Sequence, residues 1–380
     1  MTLSIGDRAD LVSKAQTLAK QVRGAAQLAE QTGRLADDVV GAVRTSGLPG
    51  LGLPSALGGF ASPPVATAEV LEHIAMSDAA SAWIVMIAST TSLNGAFLPE
   101  PTAHEVYADG ASTLTAGVLA PKGGGVRHDA GYRISGTWPF CSGCLHADWI
   151  TVGFIPDGEQ VVRTAVVPNH QVEILDTWHV MGLAATGSHD IRLTDVYVPD
   201  THTWVVGQDE PWSDEPLYRF PIYGMLALGV AAVLLGAARG AIADLKELAS
   251  GKVPTGSRRS LADRPSVQEA VARSEMTLDA ARCYLNDVVE GAWAVACAGD
   301  SLDDVTRARL RMAATGAAEA AVRVTESMYR AAGGTSIYRS SPLERRFRDV
   351  NTGAQHMMIA QPTWEVAGRV LLGLGGHEQL

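Results

Sequence analysis

The sequence predicts a multidomain α+β fold, with an N-terminal helical domain (residues 1–114), a middle antiparallel β-barrel or β-sandwich domain (115–211) and a C-terminal four-helix bundle (212–380). Three observations predict this order. Apolar residues recur every three or four positions up to about residue 110, alternate in short runs from about 115, and return to helical spacing after 221. With 47% hydrophobic and 19% charged residues among 380, the chain is apolar enough to bury a core in each part.

The N-terminal part is rich in alanine and helical in its spacing. Apolar positions three and four apart run through LVSKAQTLAKQVRGAAQLAEQTGRLADDVVGAVRTSGL, and GLPGLGLPSALGGF separates this run from a second helical one. The first 22 residues lack the uninterrupted apolar segment and the cleavage site of a secretory signal. Because the chain also has only four cysteines, we expect a protein of the cytoplasm.

The middle part changes to the period of β-strands. Four short β-branched or alternating runs, separated by Gly, Pro, Asn and Asp, predict antiparallel strands and their turns: GYRISGTWPF, WITVGFIP, RTAVVPNHQVEIL and HDIRLTDVYVP. The glycine-rich PKGGGVRHDAG lacks the spacing of a phosphate-binding loop and has no helix after it. We interpret it as a flexible loop.

The C-terminal part contains five predicted helices. They cover Met225–Ser250, Ser266–Gly299, Val305–Ala332, a segment that begins near Ser341 and a segment within the last forty residues. The stretch Met225–Ala243 is apolar enough to be weighed as a membrane span. Because it is rich in Gly and Ala and contains Arg239, we predict instead a tightly packed interior helix and no membrane partner.

Charge and cysteine spacing exclude several classes of function. The net charge of −11 and the absence of clustered Lys and Arg argue against a nucleic-acid partner. Cys141 and Cys144 form a C-x-x-C, but a structural zinc site needs four ligands, and Cys283 and Cys297 stand alone in helical runs. A thioredoxin-like dithiol would need the motif at the start of a helix, whereas strands flank it here. We therefore predict a structural turn without a metal.

Three segments, taken together and in this order, resemble the acyl-CoA dehydrogenase fold: SGTWPFCSG, WHVMGLAATGSHDIRLTDVYVP and AAGGTSIYRSSPLERRFRDV. The resemblance covers most of the chain. In the dehydrogenases a glutamate eight residues after the Asp of the R-D pair removes the substrate proton, but here that position is Met357. The first bundle helix, an alternative place for the base, has no acidic residue in IYGMLALGVAAVLLGAARGAI. Without a carboxylate, dehydrogenation of a thioester has no proton acceptor.

His356, next to Met357, and the serine of SGTWPFCSG are instead similar to the flavin-dependent monooxygenase branch of this fold. That resemblance implies an oxygenase that takes reduced FMN or FAD from a separate reductase, forms a C4a-hydroperoxyflavin with O2, and hydroxylates a small aromatic or natural-product substrate. It also implies a homotetramer. His356 would be a catalytic base or stabilise a developing anion, since an imidazole that titrates near neutral pH suits this role.

The same resemblance implies the cofactor site. Ser142 would be both catalytic and a flavin contact, through its hydroxyl or its backbone N–H near flavin N5. The other expected cofactor residues are Trp138, Phe140, Arg258 (with Arg259 as a near-equal choice), Gly333 and Gly334, the two glycines acting from a neighbouring subunit. Arg348 and Asp349 are expected to form a structural ion pair. Two alternatives remain open, namely an acyl-CoA dehydrogenase with a displaced base and a non-catalytic flavin-fold scaffold subunit.

Overall fold

The computed structural model describes residues 5–375, so the first four residues of the segment tested above for a secretory signal lie outside it. The helices within this range are α1 Ile5–Thr32, α2 Asp37–Ser46, α3 Pro64–Ala75, α4 Ala79–Thr91, α5 Glu100–Val106, α6 Ile222–Gly251, α7 Pro265–Ala298, α8 Asp304–Ala332, α9 Pro342–Gly353 and α10 Pro362–Leu371. The bounds of α6, α7 and α8 lie within three residues of the predicted ones.

Local capping explains where several of these helices begin and end. The side chain of Asp78 accepts a hydrogen bond from the backbone N–H of Ser81 at 2.8 Å, which caps α4. Asp303 caps α8 in the same way through the N–H of Thr306, at 2.8 Å. Helix α7 ends at Gly299, whose φ of +87° stops the helix in a conformation that glycine adopts without strain. These caps fix where α4 and α8 begin and where α7 ends.

Seven strands form one sheet between α5 and α6. They are β1 Thr115–His128, β2 Gly131–Trp138, β3 Trp149–Pro156, β4 Arg163–Pro168, β5 Glu173–Leu175, β6 Asp190–Pro199 and β7 Thr203–Trp204, in the spatial order β5-β6-β2-β1-β3-β4-β7. The expectation of a purely antiparallel sheet is wrong, because β1 and β3 pair in parallel from Thr115 opposite Trp149. Strand β2 forms a hairpin with β1 and occupies one edge of it. Strand β3 therefore pairs with the other edge of β1.

The glycine-rich segment is part of β1 rather than a flexible loop. Gly123 pairs with Gly136 of β2 and also with Phe154 of β3. The indole of Trp138 explains the two glycines, since a Cβ at Gly123 would lie 2.2 Å from its Cζ2 and a Cβ at Gly136 would lie 2.8 Å from its Cη2. Glycine is therefore needed so that a large aromatic side chain can lie flat in the sheet.

Helix α6 is the central helix of the molecule. It packs against α3 and α4 from the N-terminal part and against α8 and α9 from the bundle, so the apolar core is continuous from Leu11 to Ile359. By length and hydropathy α6 is the one helix of the described range that could cross a membrane, and 89% of its most apolar window is buried inside the protein. This agrees with the prediction of an interior helix.

A buried arginine fastens α9 to α6 and α3. Arg346 pairs with Asp244 at 2.5 Å and donates to the carbonyl oxygens of Ala75, Met76 and Ala237. Its guanidinium takes the space over Gly240, where a Cβ would lie 2.2 Å from Nη1. Because the arginine is buried and its partners come from three helical segments, these contacts fix the position of α9, which leads directly into the residues of the site.

Candidate active site

A tight turn after β2 carries Ser142. The N–H of Cys144 donates to the carbonyl of Cys141 at 3.2 Å and closes a four-residue turn. Its third residue, Gly143, has a φ of +79°, which a type II turn requires at that position. Phe140, just before the turn, has a φ of +65°, a strained conformation for a residue with a Cβ. Backbone strain of this kind is concentrated at functional sites.

The strained residue presents its aromatic ring to solvent. Phe140 is 69% exposed, and its ring lies edge-on to that of Trp178, with 6.1 Å between the centroids and 85° between the planes. Met181 follows Trp178 closely in the same loop and is 55% exposed, and Met357 is 57% exposed. Exposed aromatic and methionine side chains are suited to packing against a flat ring of a ligand.

Behind this surface lies a chain of buried hydrogen bonds. The indole nitrogen of Trp83 donates to Ser142 Oγ at 3.1 Å, and Ser142 Oγ is 2.7 Å from Ser188 Oγ. Ser188 Oγ is 2.6 Å from Thr186 Oγ1, which donates to the carbonyl of Leu183 at 2.8 Å. All five residues are buried. Three elements are thereby joined: α4, the turn after β2 and the loop between β5 and β6.

His356 approaches the same indole from the end of α9. Its ring lies edge-on to that of Trp83, with 5.7 Å between the centroids. The backbone N–H of Met358 donates to Nδ1 at 3.3 Å, so the proton of the neutral imidazole is on Nε2. Burial, and then the positive charge of Arg311, lower the pKa of His356 to about 4. The expectation of an imidazole that titrates near neutral pH is therefore wrong.

The expected ion pair between Arg348 and Asp349 is also wrong. Arg348 instead pairs with Glu344 and with Glu30 of α1, and it donates to the carbonyl of Met181. Asp349 accepts the backbone N–H of Leu183 at 2.6 Å, and burial raises its pKa to about 7. The two neighbours point to different sides of α9, since successive residues of a helix lie about 100° apart. Both hold the loop between β5 and β6.

Trp138 and the two cysteines are core residues. The indole of Trp138 has no exposed surface and donates to the carbonyl of Gly153 at 2.7 Å, so its side chain is not available to a cofactor. Cys141 and Cys144 are buried thiols: Cys141 donates to Cys144 Sγ, which in turn donates to the carbonyl of Gly187. In the described range, no three side chains of His, Cys, Asp or Glu are grouped as a metal site would need.

The remaining expected cofactor residues lie far from Ser142 within one chain. The site lies beside Leu234, near the middle of α6, where this side chain would touch a Cβ at Gly353, whereas Lys252, just after the last residue of α6, donates to the carbonyl of Ala332. These two levels are roughly 25 Å apart along α6 at about 1.5 Å per residue. Gly333 and Gly334 follow Ala332 and are exposed, with open space around both.

Arg258 and Arg259 lie in the exposed loop between α6 and α7, at the same end of the bundle. The structure therefore brings together Phe140, Ser142 and His356, the last two through Trp83, and leaves the arginines and the glycine pair at a distance. Within a single chain they form two separate groups.

Over 364 residues the sequence is 34% identical to indole-3-acetate monooxygenase of Pseudomonas putida, a match that covers 94% of this chain and 93% of the relative. The chain belongs to the flavin-dependent monooxygenases. It is therefore an oxidoreductase whose cofactor is a flavin. Residues 228–361 of this monooxygenase also match the family described as acyl-CoA dehydrogenase, C-terminal domain, which identifies the fold.

Solved structures support the same assignment of the monooxygenase fold. XiaF from Streptomyces sp., in complex with FADH2 and glycerol, superposes with a TM-score of 0.90 at 27% identity, covering 97% of this chain and 96% of that one. The HsaA monooxygenase from M. tuberculosis superposes with a TM-score of 0.88 at 26% identity, covering 97% and 99%. The fold is therefore acyl-CoA dehydrogenase-like over nearly its whole length.

The residues of this monooxygenase fit a flavin. The exposed ring of Phe140, with Trp178 beside it, offers an apolar aromatic surface to the flat ring system. Ser142 offers a hydroxyl next to that surface, since only Cys141 separates it from Phe140. The flavin supplies the redox chemistry when it is bound, and the protein supplies orientation, exclusion of water and hydrogen bonds.

Sequence reasoning missed the residue that joins the site. Trp83 is the one aromatic residue in the long helical run VATAEVLEHIAMSDAASAWIVMIAST, where alanines and aliphatic residues surround it. A large aromatic with a polar N–H in such a run needs a buried hydrogen-bond partner, and this was the available signal. Ser188 and Thr186 were also missed, because short polar residues in a loop have many ordinary roles.

Proposed function

We propose that this chain is the oxygenase component of a two-component system, which receives reduced flavin from a separate reductase and hydroxylates a small aromatic compound. One observation carries the proposal: Ser142 and His356 both contact Trp83, and within the described residues no carboxylate hydrogen-bonds to or forms an ion pair with any of the three. An acyl-CoA dehydrogenase with a displaced base would need such a carboxylate. The name of the Pseudomonas putida relative makes indole-3-acetate the first substrate to test.

We assign roles to the side chains by their geometry. Phe140 and Trp178 pack against the flavin ring and keep water from it. Ser142 contributes an oxygen to the polar edge of the flavin. His356, neutral at physiological pH with its proton on Nε2, donates a hydrogen bond to the negative charge that develops during oxygen transfer. A role as general base through Nε2 does not fit this tautomer, because that nitrogen has no free lone pair.

We further propose a homotetramer in which another copy completes the flavin site. Gly333 and Gly334 leave open space at the far end of α6, and next to them Ile337 and Tyr338 are 64% and 63% exposed. On α7, Met276 and Tyr284 are 64% and 48% exposed, although a free helix face normally carries polar residues. In this tetramer these apolar side chains pack against a second copy of the chain. Arg258 then contacts the phosphate of the flavin bound by that copy.

We expect either FMN or FAD to serve, and we expect the enzyme to act in the cytoplasm without a membrane or nucleic-acid partner. Of the features described above, the buried position of α6 and the net charge of −11 are in keeping with this. The choice between the two flavins depends on whether the second copy offers a surface for the adenosine half of FAD.

The test is an anaerobic titration with reduced FMN and reduced FAD, followed by mixing with 18O-labelled O2 and indole-3-acetate. We expect one labelled oxygen atom in the product, and turnover only while reduced flavin is supplied. The variant His356→Phe, which keeps an aromatic ring against Trp83 but loses Nε2–H, should lower product formation and leave flavin binding intact.

A protein that retains oxidised flavin on purification and reduces an artificial acceptor with an acyl-CoA would be a dehydrogenase instead. A protein that binds neither reduced flavin would be a non-catalytic scaffold. In that second case neither Ser142→Ala nor His356→Phe would change any oxygen-dependent reaction, which separates the scaffold from a monooxygenase with an untested substrate.

A further inference from the structure

The hydroxyl chain behind the site has only one possible direction. At one end the indole N–H of Trp83 can only donate, and at the other end the carbonyl of Leu183 can only accept. Each hydroxyl between them has a single proton. Thr186 donates its proton to Leu183, so Ser188 must donate to Thr186, and Ser142 must then donate to Ser188. No other arrangement satisfies all four contacts.

This direction determines what Ser142 can do at the flavin surface. The Ser142 hydroxyl donates its proton to Ser188, with 2.7 Å between the two Oγ atoms. One lone pair of Oγ accepts the N–H of Trp83, and the second lone pair remains. Ser142 is thus an acceptor and not a donor toward any ligand in front of it.

Its backbone N–H gives no alternative. That group already donates to the carbonyl of Phe140 at 2.9 Å. Of the two expected flavin contacts of Ser142, the one through the backbone N–H does not fit this hydrogen bond, and the one through the hydroxyl requires the oxygen to accept.

Both ends of the chain are held by the fold. Leu183 has a φ of +53°, and its N–H is fixed by the carboxylate of Asp349 at 2.6 Å. Its carbonyl also accepts the indole N–H of Trp178 at 3.1 Å. Trp83 is a residue of α4, whose twelve buried positions leave the helix no freedom to turn. The direction of the hydroxyl protons is therefore a property of the folded chain and precedes any ligand.

The two redox states of a flavin differ in whether N5 can donate a hydrogen bond to the Ser142 oxygen. Reduced flavin carries a hydrogen on N5 and is a donor there, whereas N5 of oxidised flavin has only a lone pair. An acceptor opposite N5 makes a hydrogen bond with the reduced form. With the oxidised form, the lone pair of the acceptor faces the lone pair of N5 and no hydrogen bond forms. Two acceptors without a proton between them repel each other.

We propose that Ser188 and Thr186 are positioning residues that keep the Ser142 hydroxyl an acceptor, and that the site thereby selects reduced over oxidised flavin. This deepens the proposed function and rests on it, because it requires Ser142 to face the flavin. The consequence is useful to an oxygenase that receives reduced flavin from another protein. The flavin that arrives is held, and the oxidised flavin left after turnover is released.

The test is the ratio of the dissociation constants of oxidised and reduced FMN, measured anaerobically by equilibrium titration without substrate or O2. In Ser188→Ala the proton of Ser142 loses its inward acceptor and can turn toward the flavin. We expect oxidised FMN to bind more tightly and the ratio to fall about tenfold, the loss of selectivity that one hydrogen bond provides. Thr186→Val should lower the ratio as well, since it frees the proton of Ser188 to reverse the next contact.

Two controls separate the chain from general effects of substitution. Thr186→Ser keeps a hydroxyl and should keep the wild-type ratio. Ser89→Ala removes a buried hydroxyl of α4 that donates only within its own helix, to Met86 at 2.9 Å, and should also keep it.

The outcomes are distinct. A wild-type protein that binds neither redox state would overturn the proposed function itself. A wild-type protein that binds both states equally, or folded Ser188→Ala and Thr186→Val variants with the wild-type ratio, would overturn the proton-direction proposal and leave the oxygenase assignment standing. A lower ratio in both variants, with the controls unchanged, would support it.

Discussion

The imidazole of His356 lies edge-on to the indole of Trp83, 5.7 Å between ring centroids and 66° between ring planes. The same indole donates its N–H to Ser142. One side chain of α4 therefore fixes both residues that the monooxygenase resemblance singled out, although they come from a β turn and from the end of α9.

The variant Trp83→Phe should separate these two contacts. It keeps a ring against His356 but removes the donor to Ser142, so the serine loses one of its two fixed partners. We expect product formation to fall about tenfold, with more of the O2 released as hydrogen peroxide. The measurement is product and peroxide per O2 consumed. Trp364→Phe, which removes a surface contact to Glu319, is the matched control and should behave as the wild type.

The lowered pKa of His356 predicts a pH-dependent stability. Its pKa is about 4 in the folded protein and about 6.5 in the unfolded chain, so between these values the unfolded chain binds more protons. This residue's share of stability is therefore complete above pH 6.5 and is lost as the pH falls toward 4, by about 1–3 kcal/mol.

Denaturant unfolding of the wild type and of His356→Gln between pH 4 and pH 8 isolates the contribution of His356 to stability. The other groups whose pKa is shifted, among them Asp349, Glu72 and His146, are present in both proteins. We expect the stability difference between the two proteins to change over pH 4–6.5 and to be constant above it. A difference that changes only near neutral pH would show that His356 titrates as an ordinary imidazole.

Gly182 is predicted to be essential for the position of the loop between β5 and β6. A Cβ at this residue would lie 2.3 Å from the carbonyl oxygen of Arg348 and 2.7 Å from the backbone nitrogen of Asp349. Backbone atoms of a helix cannot yield, so Gly182→Ala must displace the loop, at a cost of about 1–3 kcal/mol.

Thermal unfolding and flavin titration measure the two consequences, and both should worsen together. Gly24→Ala in α1, where a Cβ would have open space, should be neutral or slightly stabilising. Normal flavin binding in Gly182→Ala would mean that the loop does not form part of the flavin site.

The buried pair of Arg346 and Asp244 predicts a large loss of stability when it is broken. Arg346→Ala leaves the largely buried carboxylate of Asp244 and three backbone carbonyls without their partner, which should cost about 3–5 kcal/mol. Chemical denaturation measures it. Arg273→Ala, from an exposed pair with Glu269, should change the free energy of unfolding by less than about 0.5 kcal/mol. Equal effects of the two substitutions would contradict this role for Arg346.

The long elements were predictable because their signal is local and repeated. Helices α6, α7 and α8 each carry eight or more turns of regular apolar spacing, so their ends could be placed closely. The glycines of β1 gave the opposite result. Their composition is typical of a loop, but the reason for Gly123 is the indole of Trp138, which reaches it from the neighbouring strand, and the reason for Gly125 is the ring of Phe154 on the other side. A strand pairing of this kind is a tertiary fact that composition does not contain.

The site was predictable only in part, for a similar reason. Ser142 and His356 lie in motifs whose resemblance to a known family could be recognised. Trp83, Ser188 and Thr186 contribute through contacts between distant segments, and no local pattern marks them. The protonation of His356 was misjudged because its pKa depends on burial and on Arg311, neither of which the motif shows.

The loop between β5 and β6 is tied to α9 at two nearby points, where Asp349 holds the N–H of Leu183 and Arg348 holds the carbonyl of Met181. Arg348 is itself anchored to α1 through Glu30. A loop held by these contacts is a fixed side of the site and does not open and close like a lid. Any widening of the site for a different aromatic compound would have to break these contacts, so substitutions that change which compounds are accepted should be rare in this loop.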